Sequence, residues 1–481
     1  MKIGPKALCA LLLLGAGAPL AGCGGKSGTI SLQVVVSPAD DPFAGATTAR
    51  ITVGNGLSVK TVAVMNGHFN FDFSQMPMSM GAASILIEAL DASGNAIAYG
   101  QTPVLSLQAA DQGPYSVWVG RPDKIAPAAA SLMIPRTEMA AIPIAGLGVL
   151  YAGGRGSDGK AISSTEVYDV YTQGMIETSP MTQARAGAVG VAVAGVRATV
   201  FGGATADGFD APGAPLNTLE LFDPTVGVGL WAPVMGGATD ARSQPGFAIL
   251  PSGSALVAGG LDGNGMPLAT AALLTTDSSP TLTPVPSPMA AARSQMAIAP
   301  AKFPDGEGAI LFGGLPINST APVAERLVGQ AFSAYDLGAQ PNRTGATATQ
   351  LHDGRVLVLG GHDDSGAVLA TGFVITPGTP AQVTALPTAL STPRDGHSAT
   401  LLANSTFDLL VCGGLGQDGK PIASCDVLDG ASLAIKSTIP LGLARTQLSA
   451  TLLETGNVLL AGGLDPSGAP SGVIEIYTPT R

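Results

Sequence analysis

Charge is scarce in this chain of 481 residues. Lys and Arg number 23, Asp and Glu 34, and charged residues make up only 12% of the sequence. The shortage is greatest in cations, leaving a formal net charge of -11. An acidic, lysine-poor chain lacks the clustered cations that phosphate backbones demand, which argues against nucleic acid as a partner. Long apolar runs are also missing: the stretch at 7–22, "ALCALLLLGAGAPLAG", is too short for a comfortable membrane span. No long polar tract occurs, and the composition does not suit disorder. What is abundant is glycine and proline, 65 and 37 residues, a profile that fits an all-β protein with many turns better than a helical one. The length accommodates two to four ordinary domains, or one large repeat array with an extra module.

The first residues read as a targeting segment. Lys2 and Lys6 give a positive start, the apolar stretch follows, and it ends in "LAGC" at 20–23. That ending resembles the lipobox of bacterial lipoproteins. The resemblance implies a signal peptide over 1–22, cleavage before Cys23, acylation of Cys23, and a lipidated tether over 23–28; a plain secretory signal is the alternative. Several acyl chains on one residue would anchor firmly. Gly24, rather than Asp, favours delivery to the outer membrane or cell surface under the lipoprotein sorting rule. Of four cysteines, Cys9 leaves with the leader and Cys23 carries lipid. Cys412 and Cys425 then form an even pair in an exported chain, a disulfide candidate, with two buried thiols as the alternative.

Beyond the leader, one phrase keeps returning: a short apolar run closed by two glycines. The pairs are Gly153 and Gly154, Gly202 and Gly203, Gly259 and Gly260, Gly313 and Gly314, Gly360 and Gly361, Gly413 and Gly414, and Gly462 and Gly463. They follow one another at 49, 57, 54, 47, 53 and 49 residues. In step with them run Arg136, Arg185, Arg242, Arg293, Arg343, Arg394 and Arg445, each opening a strand-like stretch such as "DGHSATLL". An apolar residue stands four positions before most of them: Leu132, Met181, Met289, Leu390 and Leu441. A third strand-like marker follows the glycines, for instance at Glu166, Glu220, Asp426 and Glu475, and in the fourth unit at "FSAYD" from Phe332. Seven copies of strand, hairpin, strand, loop, strand and a weaker fourth strand are an array of equivalent units.

Four antiparallel strands repeated radially describe a propeller. The glycine pair after an aliphatic strand, the later Tyr-Asp-like strand and the Met-x-x-x-Arg spacing resemble the kelch repeat. The resemblance covers about residues 128–481; the usual fourth-strand tryptophan survives only as Trp231. It implies a seven-bladed kelch-type β-propeller of the galactose oxidase central domain superfamily, placed here at 125–481. Since no P-loop Lys-Ser or Lys-Thr follows the glycines, they read as architecture, and the arginines as scaffold. The chain stops after the third strand of the last unit, so "ASLMIPR", residues 130–136, is expected to supply its outer strand. Residues 29–124 differ in texture. Period-two stretches such as "TISLQVVVS" and "HFNFDF" suggest a small β-sandwich, immunoglobulin-like or related, that serves as a stalk or as a binding module.

Function is harder to reach. The kelch resemblance implies interaction surfaces for protein or glycan partners; together with the lipid anchor on the membrane, the expected role is binding at the cell surface, with no cofactor and no catalytic residue. A carbohydrate-active oxidase related to galactose oxidase is the competing reading. Its copper chemistry requires tyrosines, histidines and a modified cysteine, but no tyrosine lies beside the histidines here. Only His362 and His397, expected on one face with Asp363, Asp364 and Asp395, form a weak metal candidate; solvated turn residues are the plainer reading. That same face gathers Asp158, Asp207, Asp210, Asp262, Asp363, Asp364, Asp418 and Asp465. Its long loops make it the candidate binding face, with Asp207, Asp210, Asp363 and Asp364 at the centre of the expectation.

Overall fold

A computed structural model describes residues 10–11, 30–54, 56, 58–65, 69, 82–106, 112–205, 213–235, 240–315 and 322–481. Among these residues the chain is all-β, and its recurrent unit is a four-stranded antiparallel sheet, an architecture compatible with a β-propeller. Six sheets built on this unit follow one another at 140–178, 186–234, 246–284, 297–334, 347–385 and 398–440, the second with Ala214–Pro215 as an added short strand, and a seventh lies at 449–478. We refer to them in that order. Within each, the second strand is the apolar run that ends at the glycine pair. That apolar run is buried, as in "VLVL" and "VLLA", although the second strands of the second and fourth sheets extend to less buried ends.

Successive sheets share apolar cores. Ile142, Leu150 and Val167 of the first meet Val200, Phe222 and Trp231 of the second. The same kind of core recurs down the series. It ends with Leu459 and Ile476 of the seventh sheet packed on Val149 and Tyr151 of the first. Trp231 adds a polar tie, its Nε1 donating to Thr165 Oγ1 of the first sheet at 3.1 Å.

Two strand assignments from sequence need correction. The outer strand of the seventh sheet is Lys124–Pro127, paired antiparallel to Ile474–Thr478, and not residues 130–136. The later segment has a different task. Leu132 is buried under the first and seventh sheets, and the Met133 amide is taken by Glu166. In the fourth sheet the third strand is Ala324–Val328, while Ala331–Ala334, inside the expected "FSAYD" strand, is the fourth.

Ahead of these sheets, Ser58–Ala63, Thr48–Val53, Ile85–Leu90 and Ala96–Gln101 form another antiparallel sheet. Ile30–Val35 runs parallel to Gln112–Trp118. Alternation delivers one face of each to a common core of Leu32, Val34, Ile51, Ile85, Ile87 and Val117. This N-terminal part is fastened to the end of the chain. Tyr99 Oη donates to the Pro479 carbonyl, and Trp118 Nε1 to Thr478 Oγ1 at 3.4 Å. Arg481 reaches Gln101 Oε1 at 2.8 Å.

Candidate functional site

The repeated arginines come first, because they fix the end of each sheet where the glycines lie. Each is buried, and its Nη1 donates to the carbonyl of the first glycine in its own sheet: Arg136 to Gly153, Arg185 to Gly202, Arg242 to Gly259, Arg293 to Gly313, Arg343 to Gly360, Arg394 to Gly413 and Arg445 to Gly462. In five sheets a carboxylate on the third strand completes the clamp: Glu166, Glu220, Glu325, Asp426 and Glu475. The same acids accept a backbone amide from the residue after the buried Leu or Met: Met133, Thr182, Ala290, Ser391 and Gly442. This explains the Met-x-x-x-Arg spacing. The apolar residue inserts, the next amide is held by the acid, and the arginine three positions on is held by the same acid. Burial pulls the guanidinium pKa down while the acid pulls it back up, so pairing is what makes the buried charge tolerable. The third and fifth sheets lack the acid. Arg242 uses Thr270, and Arg343 lies 5.4 Å from the centre of the Phe373 ring.

The second glycine of each pair joins its sheet to the next. Gly154 N donates to Arg185 O at 2.8 Å and Gly414 N to Arg445 O at 3.0 Å, and Gly463 N returns to Arg136 O at 3.1 Å. At this last site the steric demand is explicit. Gly462 and Gly463 have φ of 65° and 88°. A Cβ would come within 2.7 Å of Arg136 O at the first and within 2.5 Å of Thr446 O at the second. Only glycine satisfies both the left-handed backbone and the close approach.

Two residues past each arginine the chain turns through the left-handed region at or just before the start of its first strand. These positions are Glu138, Gly187, Gln244, Gln295, Gly345, Gly396 and Gln447, with φ between 49° and 66°. They meet in space. Gly187 N donates to Glu138 O at 2.9 Å, Gln244 N to Gly187 O at 2.8 Å, Gly345 N to Gln295 O and Gly396 N to Gly345 O at 3.2 Å each, and Gln447 N to Gly396 O at 3.4 Å. Thr137 Oγ1 donates to Gln447 Oε1 at 3.0 Å. This rim surrounds a cavity of about 530 Å3 lined from all seven sheets. The next residue along forms its wall. Met139, Met296, His397 and Leu448 each press on the first glycine of the preceding sheet.

The electrostatics of the mouth are settled only in part. Glu138 pairs with Arg155 at 3.0 Å, and Asp395 Oδ2 lies 3.1 Å from His362 Nδ1, while Asp395 Oδ1 has no hydrogen-bond partner. His397 is not the solvated turn residue expected from sequence. It is 7% exposed, its Nε2 lies 2.9 Å from Thr347 Oγ1, and its Nδ1 has no hydrogen-bond partner. Burial first, and then the nearby Arg394 charge, pull its pKa down to about 3, so it is neutral. Its equivalents in other sheets are Met296 and Leu448, which marks it as a wall residue. His362 and His397 therefore face different partners, and among the described residues no group of three or more His, Cys, Asp or Glu is placed to hold a metal. His352 stacks on Phe407 with ring centres 3.5 Å apart.

The aspartates of the expected binding face serve their own turns. Asp262 Oδ1 accepts the amides of Asn264 and Met266, Asp363 those of Ser365 and Ala367, and Asp465 those of Ser467 and Ala469. Asp158 and Asp418 accept from Lys160 and Lys420 in the same way. These bonds hold the carboxyls of Asp262, Asp363 and Asp465 below the usual range, led by the Met266 amide, the Ser365 hydroxyl and the Ser467 hydroxyl respectively. Asp364 accepts from Asn342 at 3.0 Å. Asp207, Asp210 and Cys23 lie outside the described residues. Cys412 and Cys425 stand directly opposite on neighbouring strands of the sixth sheet, joined by a disulfide.

Sequence reasoning passed over the rim. Its residues keep a fixed offset from the arginines, which was legible, but their left-handed turn and convergence were not. No protein-family model matches this chain, and neither does any curated protein.

Proposed function

We propose that this chain is an exported, lipid-anchored binding protein of the cell envelope. In this reading a seven-bladed kelch-type β-propeller, carried on a small β-sandwich, holds a protein or carbohydrate partner at the outer membrane or cell surface without transforming it. The observation that supports it best is the central cavity, to which every one of the repeated sheets contributes an equivalent rim position. The repeat's buried arginines and acids, by contrast, are spent on holding the sheets together. Binding sites held by a rigid scaffold and lined by variable positions are the common use of such a framework. The anchor rests on "LAGC" and on the basic, apolar leader before it.

Full-length protein recovered from a membrane fraction tests both halves. Mass spectrometry should find acyl mass on Cys23 at the mature N-terminus; an unmodified Cys23 sinks the anchor. Surface-protein pull-down and a glycan array should yield a saturable partner with no chemical turnover. Stoichiometric copper together with oxidation of a sugar would replace the binding reading with an oxidase.

A further inference from the structure

The rim residues carry a strain that the fold does not require. Three of the seven equivalent positions are glycine, yet Gln244, Gln295, Gln447 and Glu138 hold the same left-handed backbone with long side chains. Non-glycine residues in this region are disfavoured, and they gather where function sustains them. All four line one cavity. We propose that this cavity binds an aliphatic peptide segment of a protein partner that carries no acidic side chain, with Gln244, Gln295 and Gln447 pairing to its backbone amides. The inference rests on the binding reading above and names the chemistry of its ligand.

A carboxamide offers two donors and an acceptor, the complement of a peptide group. The walls supply Met139, Met296, Leu448 and Val189, and thioethers adapt to aliphatic side chains. Negative charge on the ligand finds no counterpart, since no Lys or Arg lines the cavity among the described residues. Glu138 is paired with Arg155, whereas Asp395 meets His362 through Oδ2 and keeps a buried Oδ1 with no hydrogen-bond partner, an acceptor left for a peptide N–H. The lining also has no Phe, Tyr or Trp, so a sugar ring has no flat apolar face to lie on. Its volume of about 530 Å3 falls among sites for small ligands, enough for a short segment and not for a folded domain.

The test uses the full-length protein against a displayed library of random heptapeptides and an array of neutral oligosaccharides. Wild type should select peptides rich in Ala, Leu, Val, Ser and Gly, and inserting Glu into a selected peptide should weaken binding at least about tenfold. The triple variant Gln244→Gly, Gln295→Gly, Gln447→Gly should melt no lower than wild type, since glycine suits those backbones, and yet bind at least about tenfold more weakly. Peptide binding that survives the triple variant overturns the assignment of the rim. Oligosaccharide binding lost in that variant overturns the peptide class while leaving the binding reading intact. A folded wild type that selects no peptide overturns the inference even where pull-down finds a partner elsewhere on the surface.

Discussion

Replacing His397 with methionine should make the protein less sensitive to mild acid. The imidazole sits where Met296 and Leu448 sit in their sheets, is 7% exposed, and has its pKa depressed from 6.5 to about 3 by burial and by the Arg394 charge. A base whose folded pKa lies below its unfolded value refuses a proton that the unfolded chain accepts. Stability is therefore full above about pH 6.5 and falls as pH drops towards about 3. The slope for one such group is about 1.4 kcal/mol per pH unit, so lowering the pH to about 5 costs the folded wild type about 2 kcal/mol through this residue. Methionine does not titrate, and its loss of the Thr347 hydrogen bond is a constant offset at every pH. Denaturant melts of both proteins at about pH 8 and about pH 5 isolate the term. The gap between them should shift in favour of His397→Met by about 2 kcal/mol on acidification. Two curves that fall in parallel would show that the imidazole is protonated in the fold, and would refute the argument.

Further expectations follow from the scaffold. Arg185→Met leaves Glu220 buried and unpaired and should cost about 3–5 kcal/mol, whereas Arg242→Met, in a sheet with no acid on its third strand, should cost less in the same denaturant assay. Gly463→Ala should lower the melting temperature more than Gly468→Ala. Both backbones are left-handed, but only the first would drive a Cβ to 2.5 Å from a carbonyl oxygen; equal losses would deny the steric role. Deleting residues 124–127 strips the seventh sheet of its outer strand and exposes Ile474–Thr478 as an edge, so melting should drop sharply and association increase in light scattering. Thiol titration of unfolded, unreduced mature protein should find no free thiol at Cys412 and Cys425, and reduction should weaken the fold by about 3 kcal/mol on the loop-entropy argument.

The sequence by itself determined what depends on local chemistry repeated at a fixed spacing. The glycine pairs were legible because no other residue tolerates both the left-handed backbone and a carbonyl at that distance. The arginines were legible because one long cation must reach the same carbonyl in every unit. The all-β character and the alternation of strands such as that within "TISLQVVVS" were set by side-chain period in the same way. Tertiary structure decided what depends on distant partners. Lys124–Pro127 became the closing strand because Ile474–Thr478, at the far end of the chain, presented the open edge, and no local feature distinguishes it from the Ala-rich stretch that follows. "AERLV" became a third strand because Glu325 had to reach Arg293 and the Ala290 amide, although "FSAYD" looks more strand-like in isolation. His397 reads as a turn histidine beside Asp395, and it becomes a neutral wall residue only once the fifth sheet covers it. The rim is the extreme case. Glu138, Gln244, Gln295 and Gln447 are ordinary polar residues on paper, spaced about fifty positions apart, and only the meeting of the sheets at one cavity turns them into neighbours.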